Sequence, residues 1–303
     1  MHEKISFGGW ANCIRLTNGV IDLIATTDIG PRILRFGFVN EQNFFHLIPE
    51  HAGKTGGDIY RMYGGHRFWI APENIPLSYY PDNFPVEYNF RAKTLKLSQR
   101  ESTTKIVKEM EITLADGKSE TRVLHRFINE GTSTFELAPW GLSLMAAGSR
   151  AIVPQEPYGE GDEFLLPARP MALWHYTIMN DPRWIWGNRY IQAIHDPKYT
   201  SEQKIGVLNK QQWMACYLNK QVLIKKFPYD AHATYPDFNC NNEVYINGDF
   251  LEIETLGPLR HLAPGEHVEH TEHWLLGRAE ADGSEASVTK NMLPIAEKFI
   301  LQD

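Results

Sequence analysis

The stretch "LEIETL", residues 251 to 256, sets Glu252 and Glu254 two positions apart among apolar neighbours. In an extended strand side chains alternate, so Leu251, Ile253 and Thr255 face one way and Glu252, Glu254 and Leu256 the other. Two carboxylates on one face raise one another's proton affinity. Such a pair suits a general base, or a clamp on the hydroxyl groups of a ligand. The alternative is a strand with one wet face, as antiparallel sheets commonly have.

A second dense stretch is "RMYGGHRFWIAPE", residues 61 to 73. The two glycines free the backbone to bend and present the next side chains at a rim. His66 could give a proton near neutral pH, Arg67 could hold hydroxyl or carboxylate oxygens, and Trp69 offers a stacking face. Glu73 follows after Pro72. The competing account is a turn that feeds a buried strand, with Phe68 and Trp69 in the core.

Two further motifs carry less. "HVEHTEH" has histidines at 267, 270 and 273, a spacing that would gather metal ligands on a helix. On a strand His267 and His273 share one face while His270 takes the other, and a solvated, mixed-charge strand is the better account. "HAGKTGG" contains the Gly-Lys-Thr of a phosphate loop at Gly53 to Thr55, but Ile48 stands where the first glycine of that fingerprint belongs.

The elements that must position these residues read as short strands. "GVIDLIATTDIG" alternates through Ile21, Leu23 and Ala25, and "TTKIVKEMEITL" through Ile106, Met110 and Ile112. Asp-Gly in "ADGKSE" and Asn-Gly at 247–248 supply turns, and "QWMACYL", "NKQ" and "VLIKKF" predict a further hairpin. Strands at this spacing argue an all-β sandwich or barrel. One helical pattern, "SEASVTKNMLPIAEKFILQ", closes the chain. Ser284 is its expected cap, Val288, Met292, Ile295 and Phe299 fall on one side, and Pro294 should kink it. The Pro-, Trp- and Gly-rich stretch from about 155 to 205 reads as long loops across one mouth of the sandwich.

The chain has 303 residues and a net charge of −7, with 43% hydrophobic and 22% charged residues. No basic footprint for a phosphate backbone is present, so nucleic acid is not an expected partner. No 18-residue apolar run and no signal-like start occur, and a membrane is not expected either. Three widely spaced cysteines, Cys13, Cys216 and Cys240, fit reduced thiols in a cytoplasm better than a disulfide framework. With no linker or repeat, residues 1–303 are read as one domain. The 8 Trp and 13 Tyr either fill large β cores or line a pocket, since their flat faces and polar tips suit sugars and other amphipathic ligands.

Together these stretches resemble the galactose mutarotase-like (aldose 1-epimerase) superfamily, as a divergent member. "NGVIDLIATTDIGPRILRFGF" is similar to its N-terminal strand pair, "YGGHRF" to the His-bearing rim of its sugar groove, and "LEIETLGPLRHLAPGEHVEHTEHWLL" to its C-terminal segment. The resemblance implies an all-β, antiparallel β-supersandwich, here with a short C-terminal helix. It implies a small-molecule sugar or sugar derivative as partner, with no cofactor and no metal. Glu254 falls where the family's base lies and His66 at its first histidine. The family's main acid is usually a second histidine after a mid-chain strand, and the matching "APWGLSLMAAG" has none. The resemblance therefore implies an aldose epimerase-type isomerase with Glu254 as base and His66, or the loop residue His175, as acid. Arg67, Trp69, Glu73 and Glu252 would position the sugar, with Arg32 and Trp140 as further contacts. The alternatives are a non-catalytic sugar-binding or regulatory protein, and a carbohydrate lyase or hydrolase of the same fold.

Overall fold

Alternating segments form antiparallel strands, and their apolar sides meet between two sheets. In the computed structural model, which describes residues 2–301, Ile21, Leu23 and Ala25 turn into the core from Ile21–Thr26. Ile106, Met110 and Ile112 do so from Ile106–Leu114. The hairpin of Trp213–Leu218 with Gln221–Lys226 and the hairpin of Asn242–Ile246 with Leu251–Leu256 form at their turn signals.

The first sheet runs, in spatial order, from His2–Phe7 through Trp10–Thr17, Ile21–Thr26, Arg32–Phe38, His66–Ala71 and Phe135–Met145. It continues through Leu251–Leu256, Asn242–Ile246 and Gln203–Val207 to Met171–Leu173. The second runs from Trp184–Trp186 through Tyr190–Ile194, Arg150–Pro154, Trp213–Leu218 and Gln221–Lys226. It then passes through His267–Arg278, Glu120–Asn129, Ile106–Leu114 and Thr94–Arg100 to Glu87–Arg91. Face-to-face packing of two such sheets buries one side of every central strand. From the first sheet that side carries Phe68, Ile70, Met145, Leu251, Ile253, Val244, Ile246, Ile205 and Val207.

The C-terminal pattern is helical and breaks at its proline. Glu285–Asn291 is capped by Ser284, whose side chain accepts from the Ser287 amide, and Leu293–Ile300 begins afresh with Pro294 in its first turn. Val288, Met292 and Phe299 pack with Ile152, Trp213 and Ile224 on the outer side of the second sheet. Gln302, the last residue of the predicted stretch, lies outside the described residues. No described helix is long and apolar enough to cross a membrane.

The stretch 155–205 differs from the all-loop expectation. It contributes Met171–Leu173 to the edge of the first sheet, and Trp184–Trp186 with Tyr190–Ile194 to the edge of the second. These edges hold the intervening loops in place beside the outer face of the first sheet.

Candidate active site

Four adjacent strands of the first sheet align Arg67, Leu142, Glu254 and Glu243 in one cross-strand row. The next row carries Leu144, Glu252, Tyr245 and Lys204. All project away from the inter-sheet core, because the intervening positions, such as Phe68, Ile253 and Val244, point into it. Glu252 and Glu254 therefore share one face, as the alternation predicts, and both line the same cleft.

That cleft encloses about 380 Å³. Trp69, Trp140, Trp174, Tyr79, Tyr176 and Tyr245 give it aromatic walls. Its floor is charged and dry. Glu254 is 1% exposed and accepts from the Trp140 indole at 2.9 Å and the Lys204 ammonium at 3.1 Å. Glu252 accepts from Arg67 at 2.9 Å. Lys204 also lies 2.8 Å from Glu243 and sits over the Trp140 and Trp174 rings at 4.5 and 4.7 Å. Arg67 lies 4.5 Å over Trp69.

These partners compete with desolvation. Burial lifts the Glu252 carboxyl above its ordinary range and Glu254 adds to that lift, while Arg67 and Lys204 oppose it. For Lys204, burial works against the charge, but Glu243 and Glu254 overcome it and hold the ammonium well above its usual value. At the rim the Tyr79 hydroxyl donates to Glu73, and burial together with that carboxylate raises the Tyr79 phenol.

Of the residues singled out in the sequence, Glu254, Glu252, Arg67, Trp69, Glu73 and Trp140 come together here. Three do not. Arg32 is buried elsewhere, donating to the Gly64 carbonyl at 2.5 Å and to Asp82 at 2.6 Å. It clamps the Gly-Gly turn, where φ is +88° at Gly64 and +74° at Gly65, and where a Cβ would strike the carbonyls of His46 and Ile33. His175 is exposed between Trp174 and Tyr176, and those two neighbours supply the cleft wall in its place. His66 is the largest correction, because it alternates with Arg67 and faces the inter-sheet core with Phe68 and Ile70.

There His66 joins a second polar network. Its Nδ1 lies 2.8 Å from Ser143 Oγ and its Nε2 lies 2.7 Å from His125 Nε2. His125 Nδ1 donates to the His270 carbonyl, which leaves Nε2 as the acceptor for His66. Glu272 accepts from Lys225, Thr255 and Trp274 at 2.5 to 3.2 Å, and Gly141 makes room for it, since a Cβ there would stand 2.8 Å from its oxygen. The ligand atoms of His66, His125 and Glu272 lie within 4.8 Å of one another, a donor set that could take a cation. Here the Lys225 ammonium, 2.9 Å from Glu272, supplies that positive charge. Along "HVEHTEH", His267 and His273 are exposed and His270 is buried, as strand alternation requires.

Lys204, Glu243, Tyr79, Trp174, Tyr176 and Tyr245 were not singled out in the sequence. Lys204 and Glu243 stand in "QKIGV" and "NNEVYI", where apolar neighbours at Ile205 and Val244 mark the core face and turn both charges outward. A larger groove of about 960 Å³, lined by Tyr80, Phe84 and Arg100 among others, contains none of the buried charges of this floor.

The fold of this chain is similar to that of a group of solved structures. A galactose mutarotase-like protein from Lactobacillus casei matches over 88% of this chain and 100% of its own, with a TM-score of 0.54 and 11% identity. The fold is galactose mutarotase-like. A galactose mutarotase-like protein from Clostridium acetobutylicum aligns over 92% of this chain and 98% of its own, with a TM-score of 0.52 and 9% identity. A TPR-domain containing protein from Parabacteroides distasonis aligns over 89% of this chain with a TM-score of 0.61 and 16% identity. The present chain spans about half, 48%, of that protein's length. No family model matches the sequence, and no curated protein matches it. The galactose mutarotase-like fold is thus reached through shape, at identities of 9 to 11%.

Proposed function

We propose that this protein binds a sugar in the cleft and interconverts its anomers as an aldose epimerase-type isomerase, with Glu254 as the base. The observation that carries the reading is the placement of Glu254, buried beside Glu252 in an aromatic-walled cleft on a galactose mutarotase-like fold. Glu254 would take the proton of the anomeric hydroxyl while an acid protonates the ring oxygen, and the ring opens. Closure on the other face of the aldehyde then returns both protons. Arg67, Glu252 and Glu73 would hold hydroxyls, and Trp69 and Trp140 would stack on the sugar ring.

Polarimetry or NMR exchange across common aldoses tests the reading. The wild-type protein is expected to accelerate anomer exchange. Glu254→Gln is expected to lose most turnover, by roughly 100-fold or more, in a protein that still folds, because Lys204 keeps Glu243 as its partner. An unchanged rate rules the assignment out.

A second reading, a sugar-binding or regulatory protein without turnover, is favoured by one observation: among the described residues, no histidine lines the cleft. Binding without acceleration would select it. The cysteines, all free and buried, support a reducing compartment, and we place the protein in the cytoplasm.

A further inference from the structure

Ring opening needs a proton at the ring oxygen as the anomeric hydroxyl gives one up, and both oxygens are bonded to one carbon. Acid and base must therefore stand side by side. Among the described residues that line the cleft, most donors are engaged or unsuited. The Trp140 indole is spent on Glu254. The Tyr79 and Tyr245 hydroxyls donate to Glu73 and Glu202. The Arg67 guanidinium keeps its protons at any ordinary pH, and the Trp69 and Trp174 indoles are not acids in water. Tyr176 stands exposed on the wall, away from the floor.

Lys204 meets the requirement. It lines the cleft, is 4% exposed, and its Nζ lies 3.1 Å from the Glu254 carboxylate and 2.8 Å from that of Glu243. The Trp140 and Trp174 rings, 4.5 and 4.7 Å away, fix its head group from the sides. An ammonium carries three N–H bonds. Among the described residues its polar neighbours are these two carboxylates. One N–H is thus left for a ligand atom, immediately beside the oxygen that would act as base.

We propose that Lys204 is the acid of the reaction, donating a proton to the sugar ring oxygen while Glu254 accepts from the anomeric hydroxyl. The inference rests on the epimerase reading. As the C1–O5 bond breaks, its electrons go to O5, which takes a proton from Lys204 and leaves a neutral amine. The O1–H electrons form the C1=O bond as Glu254 takes that proton. Ring closure reverses both transfers, so Lys204 ends as an ammonium and Glu254 as a carboxylate. The two transfers assist each other. Burial works against the Lys204 charge, and Glu243 and Glu254 hold it in place. Once Glu254 is protonated it no longer does so, and the buried ammonium gives up its proton more readily. Glu243 stays charged and draws that proton back on closure.

Lys204→Arg keeps a positive charge between the two carboxylates but removes a group that can be deprotonated. With glucose and galactose as probes, it should slow anomer exchange by roughly 100-fold while the dissociation constant stays within about threefold. A wild-type rate in this variant, or a loss found in Tyr176→Phe instead, overturns the donor role. A second variant separates a lost donor from a poorly fitting arginine. Lys204→Cys treated with 2-bromoethylamine regains an ammonium, with sulfur in place of Cγ, while the buried native cysteines are protected. Exchange should be absent before treatment and return after it, and a wild-type rate before treatment overturns the role. Binding supplies a readout independent of turnover. The carbocyclic analogue of the sugar, with CH2 in place of O5, should bind the wild type roughly 10-fold more weakly. Equal affinity removes the contact at O5 and the donor role with it. Sugar binding without acceleration by the wild type removes the epimerase reading as well, whereas acceleration that survives Lys204→Arg removes the donor role alone.

Discussion

Lys204 holds the cleft floor together, being one ammonium shared between Glu243 and Glu254 and roofed by two tryptophans. Removing one partner from a buried ion pair leaves uncompensated charge and costs about 3–5 kcal/mol. Lys204→Met is expected to lose stability on that scale in urea denaturation, with part regained on mild acidification as the carboxyls take up protons. A loss comparable to an ordinary surface substitution would contradict the shared-cation description. At this scale the sequence was legible where alternation was applied strictly. Glu252 and Glu254 face together because Leu251 and Ile253 mark the other side. The same rule separates His66 from Arg67, since Phe68 and Ile70 are the apolar partners of His66. Proximity within "GGHRFW" obscured it. Lys204 and Glu243 carried no motif, and their juxtaposition depends on strand pairing across about 40 residues of chain.

At the scale of elements, the inter-sheet layer is held by a polar network as well as by apolar packing. Burial depresses the His125 imidazole to about 4 and that of His270 to about 3, from an ordinary 6.5. Both are neutral in the folded protein and take up protons more readily when unfolded. Stability is therefore whole above the unfolded value of 6.5 and falls as pH drops from there toward the folded values. Each should cost roughly 2 kcal/mol between pH 7 and pH 5, measurable as a falling midpoint in chemical denaturation. A midpoint that is flat over this range would mean that the two imidazoles are not neutral and dry. Among the elements, hairpins and the capped, proline-broken C-terminal helix were readable from turn and cap residues. The strands Met171–Leu173 and Trp184–Trp186 were not, because three residues are too few to display a period of two.

For the molecule as a whole, the fold class could be read from strand spacing and turn chemistry, whereas the position of the cleft could not. It needs strands from residues 66 to 256 side by side, and walls brought in from a stretch that reads as loop. All three cysteines are enclosed. Burial pushes the Cys216 and Cys240 thiols up to about 12 and raises Cys13 as well. None should react with a thiol reagent in native buffer, and all three should react once denaturant opens the sheets. Labelling of the native protein at a rate independent of denaturant would show an opening that this packing does not provide.

The Leu251–Leu256 strand separates two buried polar compartments by the thickness of one backbone: Glu252 and Glu254 on one side, Thr255 and Glu272 on the other. Membership of either compartment is a matter of odd or even position. A single-residue insertion between Asn247 and Leu251 that shifted the pairing by one would send both glutamates in against Glu272 and turn Ile253 out to water. Length changes in that hairpin are tolerable only in twos, or where a bulge absorbs the odd residue.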